Sequence, residues 1–322
     1  IMVIPPMAEY QEDINLLNQT MFDYLHNENK LLNEAAMHLV KAGGKRIRPF
    51  FALLASKFGK CSQEKLLAIM AAIEMIHLAS LIHDDVIDNA QLRRGVPTLN
   101  AKWGKEIAIA TGDYILAKSL SIVSSFPDKR VLNILLRACS EIVRGEVNQF
   151  SNLYNINQSI KDYLYRIRRK TALLISASCQ LGAVIAEVQP HIEKALAKYG
   201  YYLGMAFQIT DDILDFTSHE HELGKPIGND LKQGTLTLPV LYALKSKTNS
   251  NKLKGLIVNG LKDETRLEEA ILIIKTSNAL ADSFNIAKRY IIKAKNSLLN
   301  VPDTQTKDFM LSIADLVTSR KF

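Results

Sequence analysis

LIHDDVIDNAQLRRG, residues 81–95, sets three carboxylates and two guanidiniums directly behind a long apolar run. On a helix Asp84 and Asp88 stand four residues apart and share a face, with Asp85 offset to the side. A row of oxygen ligands left open on one side suits magnesium, which keeps waters and ligand phosphates in its shell instead of a closed protein cage. Arg93 and Arg94 add planar forks that match phosphate oxygens. Alone, the stretch would read as a charged, solvated helix end. A second copy decides: FQITDDILDF, residues 207–216, places Asp211, Asp212 and Asp215 among Ile209, Ile213, Leu214 and Phe216, which a solvated face would leave in water. Two such rows are expected to face each other across a cavity and to hold a diphosphate.

The rest of the composition fits a helical body around them. The 322 residues are 48% hydrophobic with 15 Gly and 9 Pro, and the long stretches of Ala, Leu, Ile, Lys and Glu favour helices over strands. No Pro-rich or Gly/Ser-rich linker divides the chain, so a single all-α domain over residues 1–322 is expected. A net charge of +7 admits nucleic acid, a membrane surface or anionic small molecules, and clustering matters more than the total. Cys61, Cys139 and Cys179 are odd in number and far apart, with no zinc spacing, which points to a reducing cytoplasm. Residues 66–82 form the most membrane-like segment, yet Glu74 and His77 interrupt it, so it is read as a buried core helix and not a span. The opening IMVIPPMAEY lacks the basic and small-residue marks of a signal peptide, and Ile1 suggests a trimmed start.

Three further stretches carry chemistry. In AGGKRIRP, residues 42–49, paired glycines end one helix and Pro49 constrains the next, leaving Lys45, Arg46 and Arg48 at one corner as an anion site. His77 lies nearly two turns before Asp84, on the aspartate face, where it can bond a diphosphate. A helix over 162–186 carries Arg166, Arg168, Arg169, Lys170 and Thr171; most of these charges read as a solvated face, with Lys170 and Thr171 turned to a phosphate. Glu146 and Gln149 in GEVNQF share a helix face and are read as support or packing. Residues 221–244 form a loop punctuated by Gly224, Gly228 and Gly234, carrying Lys225, Asp230 and Lys232 and ending in a Pro-started helix, suited to closing over a charged ligand.

GGKRIRP, EMIHLASLIHDDVID, LRRGVPT, GDY, KTA, FQITDDILD and GKPIGNDL follow one another in the order seen in trans-polyprenyl diphosphate synthases, and the chain resembles that family over nearly its whole length. The resemblance implies the isoprenoid synthase fold, a bundle of antiparallel helices around a central cavity, and a magnesium-dependent prenyltransferase. Asp84, Asp85, Asp88, Asp211, Asp212 and Asp215 would hold three magnesium ions on an allylic diphosphate that Arg93, Lys170 and Lys225 also touch. Lys45, Arg48, His77 and Arg94 would hold isopentenyl diphosphate, with Thr171 and Gln208 lining the reacting centre. The wording is nearest to long-chain bacterial members, which implies farnesyl diphosphate as primer, a heptaprenyl product for a quinone side chain, and a homodimer or a heterodimer with a small regulatory subunit. Hexaprenyl, octaprenyl or geranylgeranyl products are the alternatives. No nucleic-acid partner or transmembrane segment is expected, only peripheral membrane contact for product release. The chain departs from the pattern at Thr235, where relatives carry lysine, with Lys232 nearby.

Product length reads from the helix before Asp84. Ser80, Ile76 and Ile73 form successive levels at three- and four-residue steps, about 5.4 Å per turn, with Ala79 flanking the first. Short-chain relatives place a bulky aromatic near Ala79 or Ser80 as a floor; two small residues here imply a longer tail. Three rivals remain: a terpene cyclase, disfavoured by the second full aspartate row; a silent structural subunit, disfavoured by the complete acidic rows and both arginines; and a nucleic-acid binder, which lacks any interleaved aromatic motif.

Overall fold

The structure is a computed structural model that describes residues 9–217, 227–246, 249–261 and 263–319. The helical periodicity is realised almost throughout the described residues; the one strand pairing among them is a hairpin of two residues on each side. The chain folds as two compact units, residues 2–139 with 177–197, and residues 140–176 with 198–322.

In the first unit α1 (Gln11–Leu25), α2 (Lys30–Lys41), α3 (Ile47–Ser56), α4 (Gln63–Ile87), α5 (Leu99–Trp103) and α6 (Lys105–Ser124) follow in order. α1 and α2 are separated by a break near residue 27, and Asn29 caps α2 by accepting from the Leu32 amide at 3.0 Å. α4 is apolar on nearly every side, and such a helix is stable only when enclosed. It packs along α3 and α6, and Ser119 Oγ bonds the Ala72 carbonyl at 2.9 Å to stitch α6 to it. Among the described residues α4 and α6 are long and apolar enough to cross a membrane, but 72% of the most apolar window of α4 is buried, as in a core helix. The polar interruption at Glu74 is matched: Arg46 reaches it at 2.8 Å, and both are 2% exposed. Arg46 therefore does not join Lys45 and Arg48 at the anion corner as expected. Its guanidinium also bonds Asn18 and the Val40 carbonyl, so it fastens the loop to the core.

After Asp88 the chain turns through a short hairpin. β1 (Leu92–Arg93) and β2 (Val96–Pro97) pair antiparallel around Arg94 and Gly95, which adopt φ +54 and +81, the double left-handed geometry of a tight two-residue hairpin. His38 Nε2 meets the Pro97 carbonyl at 2.8 Å and its ring stands edge-on to Trp103, anchoring the hairpin to α2 and α5.

The second unit takes the later part of α7 (Lys129–Ser151), then α8 (Ile160–Ile167), a π-helical turn (Arg168–Ala172), the start of α9 (Leu173–Ile185) and most of α10 (Pro190–Thr217). After these come α11 (Asn229–Lys232), α12 (Leu238–Ala243), α13 (Ser250–Val258), α14 (Glu264–Thr276), α15 (Ala279–Ser297) and α16 (Gln305–Thr318). Met205, Ile209, Ile213 and Phe216 of α10 enter one core with Tyr163, Leu231, Leu236 and Leu241, so the apolar residues around the second aspartate row are buried as the pattern required. The single helix expected over 162–186 is interrupted by the π-turn, and Arg166 is not on a solvated face. It is 3% exposed, bonds the Leu236 carbonyl at 2.9 Å and stacks over the Tyr163 ring.

Candidate active site

Both aspartate rows ride at the C-terminal ends of long helices, and each buries its middle carboxylate while its first and third face outward to different degrees. In the first row Asp84 is half-buried, Asp85 is buried and Asp88 is the exposed C-cap of α4. The hairpin delivers Arg93 to Asp85, its Nε 2.8 Å from both carboxylate oxygens and its Nη2 2.6 Å from Oδ1. Burial works against the Arg93 charge, but the Asp85 bonds and the charges of Asp84 and Asp88 outweigh it and hold its pKa up. Arg93, expected on the diphosphate, is found bracing Asp85.

A second cluster lies in the same unit. Arg48 Nη1 sits 3.0 Å from His77 Nε2. A guanidinium can only donate, so this nitrogen accepts and the ring proton sits on Nδ1. Burial, then the charges of Arg48, Arg94, Arg93 and Arg46, holds the His77 pKa well below its usual value and keeps the imidazole neutral. Arg94 turns back to donate to the Gly43 carbonyl. Arg48, His77 and Arg94 therefore meet at the corner made by the GGKRIRP loop and the hairpin, with Lys45 exposed on the same loop. A corner with this much positive charge and a neutral donor ring is built for a polyanion.

In the second unit Asp211 is exposed, Asp212 is 4% exposed and Asp215 is half-buried. Asp212 accepts from Tyr163 Oη at 2.6 Å and from Gln208 Nε2 at 2.8 Å, while Thr171 Oγ1 donates to Gln208 Oε1 at 2.7 Å. Burial and the neighbouring Asp230 charge push the Asp212 carboxyl up to about 8, against the pull of those two bonds and of Arg166. Thr171 and Gln208, expected together at the reacting centre, are thus brought together. Tyr163 and Arg166 are the functional candidates that the sequence reading missed; an aromatic and a cation three residues apart in a basic helix give no sign of partners on α10 or beyond. Lys170 makes an ion pair of 2.8 Å with Glu146 and a 3.4 Å bond to Gln149. Lys225 and Gly224 lie outside the described residues. Lys232 ends α11, where its carbonyl accepts from Tyr154 Oη, and the Thr235 amide donates to the Asp230 carbonyl at 2.9 Å.

The donor set fits a hard divalent cation that shares its shell with phosphate. All six row residues offer carboxylate oxygen, and among the described residues no three His, Cys, Asp or Glu side chains gather into an enclosed metal cage.

Each of these long helices ends in an aspartate row, with a cationic corner beside the first, and the polyprenyl synthetase family matches residues 29–274. The chain belongs to that family. It is 45% identical over 97% of its length, and 89% of the relative's, to heptaprenyl diphosphate synthase component 2 of Bacillus subtilis (strain 168). The structure superposes with a TM-score of 0.90 on heptaprenyl diphosphate synthase from Staphylococcus aureus, at 38% identity, covering 96% of this chain and 98% of that one. It also superposes, with a TM-score of 0.91 at 33% identity and covering 98% of this chain and 96% of that one, on polyprenyl synthase from Caulobacter crescentus CB15, a structure complexed with calcium and isoprenyl diphosphate. The fold is the all-α isoprenoid synthase fold, and the enzyme is a long-chain trans-prenyltransferase.

Proposed function

We propose that the chain condenses isopentenyl diphosphate onto farnesyl diphosphate and its elongated products to give heptaprenyl diphosphate for a quinone side chain, working in the cytoplasm with a small partner subunit. The observation that carries the reaction is the Arg48–His77–Arg94 corner beside the first aspartate row. Product length rests on relatives at 45% and 44% identity, both named heptaprenyl diphosphate synthase component 2, a name that also supports the partner.

In this reading Asp84, Asp85, Asp88, Asp211, Asp212 and Asp215 hold three magnesium ions with the allylic diphosphate. Bound there, magnesium supplies charge that makes diphosphate a better leaving group. Arg93, Lys170 and Lys225 contact the same diphosphate. Preorganised cationic donors of this kind each lower such a barrier by about 3 to 4 kcal/mol. Lys45, Arg48, His77 and Arg94 hold isopentenyl diphosphate so that its C3–C4 double bond faces the allylic carbon. As the allylic C–O bond breaks, the alkene carbon bonds to the cation, and the adjacent proton leaves to the released diphosphate, so no protein nucleophile is consumed. Thr171 and Gln208 stand at the reacting centre, while apolar walls keep water from the cation.

The growing tail passes Ser80, Ile76 and Ile73, with Ala79 beside the first level. Ile73, Ile76 and Ala79 are buried, and Ser80 is partly exposed with its hydroxyl returned to the His77 carbonyl at 2.8 Å. The test is incubation with farnesyl diphosphate, isopentenyl diphosphate and magnesium, with products read by mass spectrometry, alone and with a candidate small subunit. A heptaprenyl product is expected, and Ala79→Tyr should shorten it. Short products from the unmutated chain under both conditions would refute the reading.

A further inference from the structure

Glu146 and Gln149 have no part in the mechanism above, yet Lys170 touches both. α7 approaches the π-turn so closely at Gly145 that an added Cβ would stand 2.9 Å from the Arg169 Cβ and 3.2 Å from the Lys170 backbone nitrogen. One residue on, Glu146 Oε2 lies 2.8 Å from the Lys170 ammonium, and Gln149 Oε1, on the same face of α7, lies 3.4 Å away. The side chains of Glu146 and Lys170 are 15% and 30% exposed, so the pair is sheltered from full solvent screening. The base of the lysine is fixed by the same surface: Arg169 pairs with Glu141 of α7 at 2.8 Å and lies flat on the Tyr165 ring at 3.7 Å. A π-turn is a rare, costly insertion that persists where a side chain must be aimed.

We infer that Glu146, with Gln149, is a positioning residue that holds the Lys170 ammonium where the allylic diphosphate meets it. The physics is preorganisation. A lysine has a long flexible stem and a three-donor head, and a ligand that must order it alone pays much of that rotamer freedom. Two acceptors on one rigid helix face fix both the place and the orientation of the head before the ligand arrives.

The inference rests on the reading of Lys170 as a diphosphate contact, and the experiment separates the two. Steady-state kinetics on the full chain, with its partner subunit if activity requires one, would give KM for farnesyl diphosphate and for isopentenyl diphosphate separately. Glu146→Ala should raise the allylic KM about tenfold, the worth of one charge-assisted hydrogen bond, with kcat and the isopentenyl KM nearly unchanged. Glu146→Gln, which keeps an oxygen and the shape, should lie between the two and serves if the alanine variant is unstable. In a Lys170→Ala background Glu146→Ala should add nothing. An allylic KM that stays the same or falls in both Glu146 variants, while Lys170→Ala raises it, overturns this inference alone. An unchanged allylic KM in Lys170→Ala overturns the lysine reading and this inference with it.

Discussion

The two aspartate rows share a spelling and differ in how each buried middle carboxylate is satisfied. Asp85 is met by Arg93, which straddles both its oxygens. Asp212 is met by a phenol and an amide, with the like charge of Asp230 near it. Asp85 therefore has its counter-charge on a hairpin, whereas Asp212 meets a phenol and an amide and its carboxyl is pushed up to about 8. The same motif thus surrounds its middle carboxylate with a counter-charge in one row and with a phenol and an amide in the other. It follows that the supporting shell, and not the motif, sets how each row responds to charge.

The largest expected effect on stability comes from removing the counter-charge. Arg93→Ala leaves Asp85 buried without its guanidinium and should cost about 3 kcal/mol in urea unfolding, the low end for breaking a buried pair. A loss no larger than for an ordinary surface arginine would mean that Asp85 has no need of Arg93, and the contrast between the rows would collapse.

A pH titration probes the second row. Its middle carboxyl has a folded-state pKa of about 8 against an ordinary value of 3.8, so the folded state holds the proton more tightly. That contribution is fully present below the unfolded value and is lost as pH rises through the folded one. Thermal melts in a chelator should show stability falling between these two values, and Asp212→Asn should flatten that part of the profile. Parallel profiles for the two proteins would show that Asp212 is ionised in the fold.

Tyr163→Phe should have the smallest effect of the three. It deletes one donor to Asp212 and should cost about 1 to 2 kcal/mol, while steepening the dependence of activity on magnesium. Equal magnesium dependence before and after would separate Tyr163 from the row's function.

What could be read in advance follows from how each feature is encoded. α6, Lys105–Ser124, is a long stretch rich in Ala, Leu and Ile between Gly104 and Pro127, and such a stretch leaves little choice but helix. The hairpin at residues 92–97 has too few residues for any period, and Arg94 takes a backbone conformation that sequence rules assign to Gly or Asn. The π-turn is hidden for the same reason: its five residues are too few to set a period of their own. At the site, the aspartates were legible because carboxylates in an apolar helix need a reason to be there. Tyr163 and Arg166 were not, since their partners, Asp212 and the Leu236 carbonyl, lie far away in the chain and only folding brings them together. Arg46 was misjudged for a related reason: three adjacent cations look alike in sequence, and only the buried Glu74 singles one out.

The most direct test of the two rows as the reaction's metal and diphosphate ligands is magnesium-dependent turnover of Asp84→Ala and Asp211→Ala, measured beside their circular dichroism. Both residues sit at least partly exposed at helix ends, so the fold should survive while condensation drops by about a thousandfold or more. Near-normal magnesium-dependent turnover in either variant, with its helix signal intact, would contradict the assignment.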